Sequence, residues 1–172
     1  MIFKKKTLID TCIHIFEYQF NQDKFKSIFD KDRIKAEKVN KIYNYLKDHK
    51  TLIIINKKII EEIKYICNKK DLFYDKTQLI EICKEFPGLE YNLKDINIIK
   101  KWNKKIKNPD YKFDEDDMLI YLLAKKLNTE IIITDNKKDF IRCKEIYKTH
   151  NLNSKDIIIW NIDDTLKRLN IN

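Results

Sequence analysis

Glycine is all but missing from these 172 residues, Gly88 being the sole example. That scarcity excludes the Gly-rich loops with which a backbone wraps a phosphate group, so the sequence carries neither a P-loop nor a G-x-G-x-x-G turn. Arginine is nearly as rare: Arg33, Arg142 and Arg168 stand among 36 basic residues, which face 27 acids and leave a net charge of +9. The charge is therefore lysine charge. Compact ammonium groups suit a phosphate backbone better than the planar, bidentate reading of base edges, and a solvated lysine-rich surface has the same composition. No apolar run reaches the roughly 18 residues of a membrane span. The opening Met1-Ile2-Phe3-Lys4-Lys5-Lys6 lacks the apolar core of a signal peptide, so the expectation is a cytoplasmic protein without a membrane partner. Cys12, Cys67, Cys83 and Cys143 are far apart, form no C-x-x-C pair and have apolar neighbours, which favours buried thiols over a metal site.

What is present is a core. With 43% hydrophobic residues the chain is expected to fold as one domain over 1–172 without staples. Short β-branched runs at 7–11, 51–55, 131–134 and 157–160 predict strands, and Thr51-Leu52-Ile53-Ile54-Ile55 predicts one buried on both faces. Between them, apolar residues recur at helical spacing. Two helices are expected between Asp23 and Lys50, one from Lys58 to about Asn68, and others over 76–86, 93–107, from the acidic Asp114 start to about Leu127, 139–147 and 163–169. Pro87-Gly88 predicts a turn. The alternation gives an α/β fold with a mostly parallel sheet.

Four acids stand out by position. Asp10 ends the first strand, Asp117 opens a helix, and Asp139 follows the strand at 131–134. On the helix from Lys58, at 100° per residue, Glu62 falls at the edge of the stripe made by Ile59, Ile60, Ile63 and Cys67, while Glu61 points nearly opposite. Clustered carboxylates repel one another, and such a group suits a hard divalent cation, Mg²⁺ or Mn²⁺. An ion so held activates water and stabilises a pentavalent phosphate, chemistry that needs no histidine or serine. Each acid also has a purely structural reading. Asp10 terminates a strand, Asp114 or Asp117 caps a helix, and Asp139 caps the helix it opens.

In Leu8-Ile9-Asp10-Thr11, in Ile59-Ile60-Glu61-Glu62-Ile63, in Asp117 followed by Ala124, and in Thr134-Asp135-Asn136-Lys137-Lys138-Asp139-Phe140, the chain resembles the PIN-domain nucleases, notably the VapC-type toxins of toxin–antitoxin modules. These segments occur in order over about residues 7 to 140. The resemblance implies a three-layer α/β/α sandwich around a PIN-like sheet and a Mg²⁺- or Mn²⁺-dependent endoribonuclease. Its catalytic acids would be Asp10, Glu62, Asp117 and Asp139, with Asp10, Asp117 and Asp139 holding metal and Glu62 binding or orienting a metal-bound water. Thr11, Thr134 and Asn136 would support them, and Asp116 and Asp135 would add charge around the ion or serve a second one. An RNA substrate, an antitoxin protein and a homodimer are further implications.

The sequence departs from that family in Cys12, where Asn is common, and in Asp135, where a basic residue is frequent. It also carries extra helical sequence before Thr51 and between Asn68 and Asp114. Lys100, Lys101, Lys104 and Lys105 form the densest basic surface and are the candidate RNA-binding residues, although a solvated helix face reads the same way. A haloacid-dehalogenase phosphatase also starts with a strand ending in Asp, but its second Asp would fall on Cys12. A non-catalytic PIN-like module binding RNA or protein remains the alternative function.

Overall fold

The computed structural model describes residues 5–25, 30–75, 79, 83–85, 91–151 and 155–171. Among them, five strands form one all-parallel sheet: β1 (Thr7–Ile9), β2 (Ile53–Ile55), β3 (Lys84–Glu85), β4 (Ile131–Ile133) and β5 (Ile158–Trp160), in the order β3-β2-β1-β4-β5. The helices are α1 (Thr11–Asn21), α2 (Lys31–Asp48), α3 (Lys57–Lys69), α4 (Leu93–Lys105), α5 (Glu115–Lys126), α6 (Lys137–His150) and α7 (Ile162–Leu169), with a 3₁₀ turn at Pro109–Tyr111. Together they make a three-layer α/β/α sandwich.

Isoleucine dictates the middle layer. Ile53, Ile54 and Ile55 of β2 and Ile131, Ile132 and Ile133 of β4 are buried throughout, as are Leu8 and Ile9 of β1. Strands with no wet face must be covered by helices on both sides, which is the condition for a parallel sheet. Thr7, Leu8 and Ile9 align with Ile131, Ile132 and Ile133, so β1 and β4 end level. From β1 the chain moves outward through β2 to β3, then returns to place β4 on the other flank of β1. Strand order therefore reverses between β1 and β4. In open parallel sheets such a reversal leaves a crevice at the carboxyl edge, because the helices that follow the two strands part there.

On the helical layers, α1 packs against α2 and α3, and α5 against α4 and α6. Helix α5 is buried without interruption from Met118 to Ala124, apolar on all sides because it lies among other helices. It is the wall that brings the acidic start of α5 against the sheet edge.

Several expectations change. Helix α1 has no counterpart in the sequence reading, because Ile13, His14, Ile15, Phe16, Tyr18 and Gln19 are all buried and leave no polar face to set a period. Between Asp23 and Lys50 the described residues hold a single helix, α2, and part of the expected earlier one lies outside them. Most of the helix expected over 76–86, and the Pro87-Gly88 turn, also lie outside the described residues. Within that stretch Lys84–Glu85 is a strand paired with Ile54 and Ile55. All four cysteines are free thiols, with Cys67, Cys83 and Cys143 buried as expected. No helix among the described residues is long and apolar enough to cross a membrane.

Candidate functional site

The crevice between β1 and β4 collects the acids. Asp10 follows β1 directly, and its backbone N–H donates to the carbonyl of Ile133 at 2.9 Å, which ties it to β4. Its side chain is 5% exposed. Oδ1 accepts from the Thr11 N–H at 2.7 Å, so Asp10 caps α1; Oδ2 accepts from the Thr134 hydroxyl at 2.8 Å and from the Cys12 thiol at 3.1 Å. Burial nevertheless raises its pKa above the ordinary carboxylate value, against the pull of those donors. Thr134, fully buried after β4, also accepts from the Asn136 N–H at 2.9 Å.

Asp117 comes from the first turn of α5. Asp114, not Asp117, is the cap there, accepting from the N–H groups of Asp116 and Asp117 at 2.8 and 3.1 Å. Freed of that task, the Asp117 side chain takes a hydrogen bond from Asn136 Nδ2 at 3.0 Å, across from the loop after β4. Its pKa is pushed up to about 8, first by burial and then by the negative charges of Asp10, Asp114, Asp139 and Glu62. Four carboxylates from four parts of the chain thus act on a fifth. Asp139 stands in the first turn of α6, whose cap position is Asn136 without a side-chain capping bond, so Asp139 is not the cap.

Glu62 faces inward from α3 and Glu61 outward, as the helical wheel requires. Both Glu62 oxygens are engaged. Oε2 accepts from the Thr11 hydroxyl at 2.6 Å, and Oε1 lies 3.3 Å from the Lys58 ammonium. Lys58 Nζ is also 2.8 Å from Asp116 Oδ1. Burial raises the Glu62 pKa while Thr11 and Lys58 oppose the rise. Glu61 instead accepts from the Tyr91 hydroxyl at 2.5 Å.

Of the supporting residues, Thr11, Thr134 and Asn136 each bond a central carboxylate. Asp135 turns aside to Lys35 at 2.6 Å, although its charge is still felt at Asp10. Lys58 and Cys12 were not among the expected site residues. The spacing of Lys58 four positions before Glu62 was a usable signal for the first; nothing in the sequence pointed to the Cys12 thiol as a donor. His14 lies one turn from Asp10 but is 1% exposed, bonded to the Tyr43 hydroxyl and lowered to about 3 by burial, so it stays neutral and is no general base.

The four lysines of α4 separate. Lys100 borders a hollow of about 230 Å³ shared with Lys58, Tyr91, Glu115 and Asp116, beside the acids. Lys105 borders a second hollow of about 470 Å³ with Trp102, Tyr111, Lys138, Arg142 and His150. Trp102 and His150 stack there at 4.6 Å and 8°. Lys101 and Lys104 are exposed.

The donor set around Asp117 is all carboxylate oxygen, which fits a hard divalent ion. Among the described residues, however, no three His, Cys, Asp or Glu side chains are drawn into a ready coordination sphere. Fold and hydrogen bonding together define an α/β/α protein with linked carboxylates at the strand-order reversal. No family model matches the chain, and no curated protein matches it either.

Proposed function

We propose that this protein is a Mg²⁺- or Mn²⁺-dependent endoribonuclease of PIN-like type. The observation that carries the reading is the hydrogen-bonded chain from Asp10 through Thr134 and Asn136 to Asp117 at the strand-order reversal, with Thr11 tying Glu62 to Asp10. So much like charge is costly without a cation to offset it. Asp10, Asp117 and Asp139 would hold the ion, which when bound would lower the pKa of water and offset charge on a phosphodiester. Thr134 fixes Asp10 from β4, Asn136 fixes Asp117, and Glu62, held by Thr11, would orient the attacking water. Its oxygen would bond to phosphorus as the bond to the 3′ oxygen breaks, with a proton passing to that oxygen. The ends would be 5′-phosphate and 3′-hydroxyl.

RNA as the substrate is supported by lysines at both hollows and by the Trp102–His150 stack beside Lys105, Lys138 and Arg142, a mixture of cations and aromatic faces that suits single strands. The test is cleavage of single-stranded RNA with Mn²⁺, with and without chelator, by wild type, Asp10→Asn and Asp117→Asn. Cleavage by wild type alone, abolished by chelator, is expected; equal activity in all three sinks the proposal.

The engagement of both Glu62 oxygens favours a second reading, a non-catalytic PIN-like module that binds RNA or protein. The two separate on metal-linked stability. The nuclease gains melting temperature with Mn²⁺ and loses that gain on Asp10→Asn, whereas the binding module shows no shift. A toxin role with an antitoxin partner and a homodimer rests on the resemblance alone. Growth arrest by wild type but not by Asp10→Asn is its expected outcome.

A further inference from the structure

The pocket already holds one cation of its own. Lys58 Nζ lies 3.3 Å from Glu62 Oε1 and 2.8 Å from Asp116 Oδ1, and its side chain is only 15% exposed. Both partners sit beside the other acids, since Thr11 bonds both Asp10 and Glu62, and Asp116 adjoins Asp117 in the first turn of α5. An ammonium group between two carboxylates from different helices, α3 and α5, does what a bridging metal ion does: it offsets their charge and fastens the helices together. Lysine offers a single charge on a tether, so it needs neither a coordination sphere nor metal from solution.

We infer that Lys58 stands in for a second divalent cation, so that the site takes one ion, between Asp10, Asp117 and Asp139, and is closed to another between Glu62 and Asp116. The inference deepens the metal-dependent reading and rests on it. Three observations bear on the second position. Glu62 is turned toward Lys58 although it lies in reach of the pocket, its other oxygen is taken by Thr11, and Asp116 extends from the first turn of α5 to complete the pair. With Lys58 in place, a second ion would have to displace a half-buried, doubly paired ammonium or lie beside it against its charge. Without Lys58, the two carboxylates would face each other uncompensated, the arrangement that recruits a divalent ion.

The experiment is a calorimetric titration of the full chain with Mn²⁺, with bound ions counted independently by the loss of free Mn²⁺ signal in electron paramagnetic resonance. Wild type should bind one ion per chain, Lys58→Met two, and Lys58→Met with Asp116→Asn one again, while Lys58→Arg should keep the wild-type count. Lys58→Gln repeats the central arm should the methionine variant fold poorly, and circular dichroism reports folding for each. One ion in both wild type and Lys58→Met, or two in wild type, overturns the role given to Lys58 and leaves the nuclease reading standing. No ion bound by any of them overturns both.

Discussion

Asp117 concentrates the electrostatic cost of the site. A carboxyl whose pKa is about 8 in the folded chain and near its ordinary 3.8 in the unfolded chain carries no penalty below pH 4, costs stability progressively as pH climbs from there to about 8, and carries the full penalty above it. Asp117→Asn should therefore leave the metal-free protein unchanged at pH 4 and stabilise it at pH 9. After discounting for solvent screening of a half-buried group, the gain is about 2 kcal/mol. That corresponds to a rise of roughly 4–8 °C in a thermal melt, and a variant less stable than wild type at pH 9 contradicts the assignment. Thr134 gives the opposite case. Its buried hydroxyl donates to Asp10 and accepts from the Asn136 N–H, so Thr134→Val, equal in shape, strands the Asn136 N–H and leaves Asp10 Oδ2 with the weaker Cys12 thiol alone. A loss of about 1–3 kcal/mol in urea denaturation is expected.

At the scale of elements, the scarcity of glycine leaves a mark. Asp23, Lys50, Asp71, Asn128 and Asn170 all hold left-handed backbone, with φ between 47° and 54°. Asn and Asp tolerate that region because short polar side chains bond locally; Lys50, which follows α2, has no such relief. Replacing it by glycine removes a clash at the cost of added freedom in the unfolded chain, and Lys50→Gly should stabilise by roughly 0.5–1 kcal/mol. Chemical denaturation of the two proteins side by side checks this, and a loss of stability would count against local strain at Lys50.

The elements also mark what could be read in advance. Runs such as Ile53-Ile54-Ile55 and Ile131-Ile132-Ile133 announce strands because a continuous β-branched segment has few other places to go, and Glu62 was separable from Glu61 by a turn angle. Helix α1 escaped because a helix buried around most of its surface has no polar stripe. Strand β3 escaped because it is two residues long and exists through its pairing with β2. The Lys58 contact with Asp116 depends on how α3 meets α5, a relation between elements that spacing within either cannot fix.

At the scale of the molecule, the chain carries a net charge of +9 although its candidate site is built of acids. If the lysines of α4 neutralise phosphates, RNA binding should weaken as salt rises, with log affinity falling by about 0.7 per log unit of salt for each contact on a single strand. Replacing Lys100, Lys101, Lys104 and Lys105 by alanine should weaken binding and flatten that dependence. Fluorescence anisotropy with a labelled oligonucleotide in chelator, over a salt series, measures both. An unchanged slope would assign these lysines to the solvated surface.

The alignment of β1 with β4 has a consequence during synthesis. Asp10 is synthesised well before its partners: the strand that seats it and the helix bearing Asp139 emerge more than a hundred residues later. A nascent chain, or a product of premature termination before α6, holds at most part of the acidic set. Under the nuclease reading, only translation past α6 arms the protein, so copies cut short before it are harmless to the RNA around them.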